Sequence, residues 1–69
     1  MSNVVNSTVN VQVQSIQFSA NRITEVNVFV HGSTRFLGDG LYEVSTPSQT
    51  VYVMEGDWIV SCNGRLEAY

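Results

Sequence analysis

The sequence contains no lysine, one cysteine, one histidine and one proline, and it has no apolar run long enough to span a bilayer. Each shortage excludes something. Three arginines stand against six carboxylates, for a net charge of −3. Such a surface repels phosphate backbones, so general nucleic-acid binding is not expected. The missing lysine also rules out a P-loop, whose glycines need a following Lys. Cys62 has no intrachain disulfide partner, and Cys62 with His31 falls short of the four ligands of a structural zinc site. No cofactor and no membrane partner are expected.

A chain of 69 residues is one domain at most and buries only a modest core. Folds of this size need a staple or a partner. With disulfide and metal set aside, oligomerisation remains, and a homo-oligomer is expected. Residues 1–6 lack the basic start and apolar core of a secretion signal, and a free thiol suits a reducing compartment. A cytoplasmic location is therefore expected.

What the chain has in abundance is β-forming residues, with twelve valines. Val9, Val11 and Val13 alternate with Asn10, Gln12 and Gln14, as in a half-buried strand. Ile16 and Phe18 continue on the opposite parity, which predicts a bulge near Gln14 and Ser15. Residues 19–21 read as a turn. Residues 22–31 read as a second strand, with Val26, Val28 and Val30 on one face, Glu25 and Asn27 on the other, and Phe29 interrupting the polar face. The glycine-rich residues 31–40 read as a loop. Residues 41–46 form a strand ended by Pro47, and residues 49–54 form the next. No helix longer than a turn is predicted. Residues 1–8 are expected to be an N-terminal arm, frayed or exchanged between subunits, and residues 9–69 a single β domain.

The C-terminal residues fix registers. Gly56-Asp57 as a two-residue type II′ turn sets Glu55 opposite Trp58, Val53 opposite Val60 and Val51 opposite Cys62. Asn63-Gly64, a strong type I′ signal, sets Cys62 opposite Arg65, Val60 opposite Glu67 and Trp58 opposite Tyr69. Both faces of that meander are apolar, whereas an antiparallel sheet normally solvates one. A second cover is needed, and another subunit is the expected one. The fold class is therefore all-β, an antiparallel meander of five to six strands, twisted into a half-sandwich or small barrel.

Little of the sequence carries chemistry. Cys62 falls beside valine in a strand and reads as a small buried hydrophobe. No base and orienting group can be assembled around it or His31. Asp39 and Asp57 sit in glycine turns, where aspartate bonds to local backbone. The segment Arg35, Phe36, Leu37, Gly38, Asp39, Gly40 combines charge, an aromatic and glycines. With Arg22 and Arg65 it is the best candidate for holding a nucleotide-like ligand. Trp58 is core or, if exposed, an interface anchor. An enzyme is not expected.

The run Glu55-Gly56-Asp57-Trp58-Ile59-Val60, followed by Asn63-Gly64, resembles a motif of small phage-encoded proteins of the PGDYG type. Those carry Gly-Asp-aromatic-Ile/Val-Val followed by a glycine hairpin and an aromatic strand. Glu55 stands where the leading proline would be. The resemblance implies a bacteriophage setting and brings no activity with it. The expected function is a non-catalytic accessory protein in the host cytoplasm that inhibits a host anti-phage defence protein by occupying its surface. The alternatives are a homo-oligomeric sponge for a nucleotide-like signal and a minor virion component.

Overall fold

The computed structural model describes residues 12–69. The chain runs through β1 (Val13–Gln17), a short 3-10 turn (Ala20–Arg22), α1 (Ile23–Val30), β2 (Ser33–Gly38), β3 (Leu41–Ser45), β4 (Thr50–Met54), β5 (Trp58–Cys62) and β6 (Arg65–Ala68). The six strands form two antiparallel three-stranded sheets, β1-β5-β6 (sheet I) and β2-β3-β4 (sheet II). The all-β expectation holds in its half-sandwich form, with one short helix added. The expected arm of residues 1–8, and Val9 and Val11, lie outside the described residues.

Among the described residues the core is apolar throughout: Phe18, Val26, Val30, Val44, Val53, Ile59 and Leu66 are buried, and no polar side chain is. Strand pairing explains the choice. Ile59 lies opposite Ile16 and Ala68, and Leu66 opposite Ser61, so these share the inner face of sheet I. Val53 opposite Tyr42 and Val44 opposite Val51 define the inner face of sheet II. Phe18, just past β1, stacks at 4.9 Å on Tyr42 and so joins the two layers. The side chain of Gln49 joins them again. It donates to the Gly64 carbonyl (3.0 Å) and accepts from the Leu66 N–H (3.1 Å), completing an edge of β6 as a backbone amide would.

Residues 22–31 are not a strand. Ile23–Val30 is a helix, and the valine spacing accommodates it: Val26 and Val30, four apart, are buried, while Val28 points outward. Val26 and Val30, at i and i+4, share a helical face as well as a strand face, whereas Val28 at i+2 fits only the strand. The ends carry helix punctuation. Ser19 caps the preceding 3-10 turn by accepting from the Asn21 N–H. The far end is a Schellman closure, with His31 left-handed (φ 58°), its N–H bonded to Val28 O and the Gly32 N–H to Asn27 O. Gly32 then passes so close to β3 that a Cβ there would sit 2.0 Å from the Ser45 carbonyl oxygen. Packing on the sheets overrides the β preference of valine.

The expected loop over residues 31–40 is mostly strand β2, closed by an Asp39-Gly40 turn with both φ angles positive. Its Ser-Thr-Arg-Phe-Leu run has the side chains of a strand, which the flanking glycines masked. The bulge falls here, at Leu37 between Phe36 and Gly38, and not in β1. β1 pairs with β5 without interruption. Its parity change arises because Val13 lies on the outer face of sheet I and Ile16 on the inner.

The Gly56-Asp57 hairpin is also overturned. β4 and β5 belong to different sheets. The turn runs from Met54 to Asp57, closed by Asp57 N–H to Met54 O at 3.0 Å. Gly56 (φ 90°) is at its third position, as a type II turn requires. This turn carries the chain across layers instead of folding it back. The Asn63-Gly64 turn has both φ angles positive, and its registers are those expected: Cys62 with Arg65, Val60 with Glu67, and Trp58 with Tyr69 through paired 2.8 Å backbone bonds.

Candidate functional site

The alternation of sheet I places three rows on its outer face: Val13-Cys62-Arg65, Ser15-Val60-Glu67 and Gln17-Trp58-Tyr69. Several of these side chains are apolar yet open to solvent. Val13 is 57% exposed, Trp58 46% and Tyr69 69%. Val60 and Cys62 are half-buried among them. Val13, Val60, Cys62 and Tyr69 floor a shallow basin of about 570 Å³ rimmed by Asn63, Arg65 and Glu67, and Trp58 lies outside it, opposite Tyr69.

The rim is polarised. The Tyr69 hydroxyl donates to the Glu67 carboxylate. That bond, the Glu67 charge and lesser contributions from burial and Cys62 raise the tyrosine above its ordinary pKa, so it stays protonated and able to donate. Arg65 is the arginine with no carboxylate at ion-pair distance among the described residues. Arg22 faces Glu25 at 3.9 Å, and Arg35 faces Glu43 at 3.1 Å.

The structure thus places two of the sequence-nominated residues on one face, Trp58 and Arg65, two rows apart, and separates the others. Arg35 lies on the outer face of sheet II. Phe36 is on the inner-face parity but at its open end, 59% exposed and stacked at 5.1 Å on Tyr42. Gly38 ends β2, and Asp39 sits in the adjoining turn at φ 52°. Arg22 is at the start of α1. The three arginines therefore form no common cradle within one chain. Trp58 is a surface residue, not core, because its strand parity is opposite to that of Ile59. For the same reason Cys62 is half-buried on the outer face. Val13 and Tyr69 were not nominated; for Val13 the register of β1 against β5 was the missing information, whereas the Asn63-Gly64 register had already set Tyr69 opposite Trp58.

A second exposed apolar group, Leu37, Tyr52 and Met54, belongs to sheet II. There the Arg35–Glu43 ion pair already satisfies both charges. Asp57 serves its turn, accepting from the Met54 N–H at 2.9 Å. Glu55 accepts from the Ala20 N–H at 2.9 Å, and that bond, then the Ser19 hydroxyl, holds its carboxyl below the ordinary glutamate pKa. Among the described residues, no group of three or more His, Cys, Asp or Glu is placed to hold a metal ion, and no helix is long and apolar enough to cross a membrane.

No protein-family model, curated protein or solved structure matches the chain.

Proposed function

We propose that this chain is a non-catalytic binding protein that lays the outer face of sheet I on another protein and blocks it. The observation that carries the reading is the exposed Val13 and Tyr69 lining one basin, with exposed Trp58 next to Tyr69 on the same face and Arg65, which has no ion-pair partner among the described residues, at the rim. Aromatic and arginine side chains contribute most of the binding energy at protein interfaces. A sheet holds them in fixed positions, so little side-chain entropy is lost on association. The partner surface that fits is an apolar projection beside a carboxylate, which Arg65 would take in a bidentate pair. The C-terminal resemblance supplies a bacteriophage setting and no activity, and in that setting the partner proposed is a host defence factor.

The test is capture from a bacterial lysate by the immobilised chain, compared with a Trp58→Ala/Arg65→Ala/Tyr69→Ala variant. The wild type is expected to retain a defined host protein that the triple variant loses, with unchanged thermal unfolding. Retention by both proteins would overturn the assignment of this face.

A further inference from the structure

The two sheets have four edge strands, β1, β2, β4 and β6. An edge presents unpaired backbone groups, and folds blunt edges with charge, proline, bulges or cover. Three of the four show such a device. β2 carries Arg35 and the Leu37 bulge, and Thr34 ties it to α1 through a 2.7 Å bond to Asn27. β6 carries Arg65 and Glu67, and its Leu66 N–H is taken by Gln49. β4 lies beside β6 and begins right after Gln49, which bridges them. β1, Val-Gln-Ser-Ile-Gln, has no charge, no proline and no bulge, and no second described strand pairs with it.

The backbone direction along β1 follows from bonds at its two ends. Phe18 N–H bonds to Asp57 O, and Asn63 N–H to Gln12 O. Pairing alternates in an antiparallel ladder, so Gln14 and Ile16 also bond to β5. The N–H and C=O groups of Val13, Ser15 and Gln17 point away from it.

We infer that this edge pairs antiparallel with β1 of a second copy about a two-fold axis at Ser15. Charge singles out the second copy. The chain carries −3 overall, so its copies repel across most of the surface. Both β1 and its neighbour β5 are free of charged residues. Approach through β1 brings no carboxylate against another. In this register Ser15 meets Ser15 of the second copy, and Val13 meets Gln17 of the second copy in both directions. The product is a continuous six-stranded sheet about 24 Å wide. The outer faces of the two copies run on from each other, which gives a chain of this size the partner that stands in for a staple.

The test is the native mass by light scattering, from micromolar to millimolar chain, with amide hydrogen exchange read at each concentration. The wild type is expected at twice the chain mass when concentrated, with slowed exchange at Val13, Ser15 and Gln17. Ser15→Pro removes an N–H used only between copies, so it should keep the monomer fold by circular dichroism. It should weaken dimerisation roughly tenfold to a hundredfold, as the loss of a symmetric pair of hydrogen bonds implies. If Ser15→Pro unfolds, Ser15→Arg reads the same contact by setting two cations against each other on the axis. A monomer at every concentration overturns the inference, as does a dimer unaffected by a folded Ser15 variant or one without protection at the three amides. The capture experiment does not depend on this contact, so either proposal can fail alone.

Discussion

Sheet II is a meander of consecutive strands, whereas sheet I is assembled from the two ends of the described chain. In sheet II every pairing closes a short connection. In sheet I only β5 with β6 does; β1 must find β5 across the helix and the whole of sheet II, pairing Val13 with Cys62. Closing that long loop costs chain entropy before any contact forms. The sheet whose completion depends on remote pairing is the one that carries the candidate binding face. The row Val13-Cys62-Arg65 is incomplete until β1 has docked. Sheet II, built locally, has its outer ion pair already closed and serves as the support.

The sharpest way to break this arrangement is at Phe18, the fully buried ring that follows β1 and stacks on Tyr42 of β3. Phe18→Ala removes the side chain that connects the layers and leaves a cavity. The expected loss is about 3–5 kcal/mol, a large part of the stability of a small domain. Urea unfolding should show the midpoint collapse. Tyr69→Ala, on the outer face, should shift stability by no more than about 0.5 kcal/mol. Equal effects at the two positions would mean that the outer face is covered in the free protein.

A smaller change tests the second connection. Gln49→Ala deletes a bond to the Gly64 carbonyl and leaves the Leu66 N–H, at a part-buried site, without its acceptor. The cost expected is about 1–3 kcal/mol. It should be accompanied by faster amide exchange at Leu66, while the β2–β3 hairpin is unchanged. Gln49→Glu should not restore stability, because a carboxylate cannot donate to the Gly64 carbonyl. Recovery by Gln49→Glu would show that the Leu66 contact alone matters.

The same contrast decides what could be read in the sequence. Local signals were legible: Asn63-Gly64 fixed its registers, Pro47 marked the end of β3, and Asp57 bonded within its turn. Signals requiring knowledge of a distant partner were not. Nothing near Gly56 says whether a glycine turn folds a hairpin or passes the chain to another layer. That choice leaves Trp58 on the outer face of sheet I, where the simplest expectation had it in the core. The helix was hidden because Val26 and Val30 satisfy either period, while Val28, exposed on the helix, completed a strand-like alternation. Its markers were Ser19, which caps the 3-10 turn leading into it, and Gly32 just beyond the exit, with the latter required by the passage against Ser45. The candidate face was half legible. Trp58 and Arg65 stand out by residue type, but Val13 joins them only through the pairing of β1.

The smallest expected effect lies where β1 gives way to the 3-10 turn. Gln17 Nε2 donates to the Gly56 carbonyl at 3.0 Å, and Glu55 accepts from the Ala20 N–H, tying this end of β1 to the turn that crosses between sheets. The Glu55 pKa is lowered on folding by the Ala20 N–H bond and then the Ser19 hydroxyl. A depressed folded pKa contributes stability that is present above the unfolded pKa. That contribution is lost as the pH falls through the folded value. Glu55→Gln retains an acceptor for the Ala20 N–H and removes the titration. Comparing melting temperatures of the two proteins from neutral to acid pH should show the wild type slightly ahead at neutral pH. The gap should close as Glu55 protonates. The background from the other carboxylates is common to both proteins and cancels. A gap that widens on acidification would mean that Glu55 is better accommodated neutral, and that the 3-10 turn is held to the β4–β5 turn by Gln17 and backbone bonds alone.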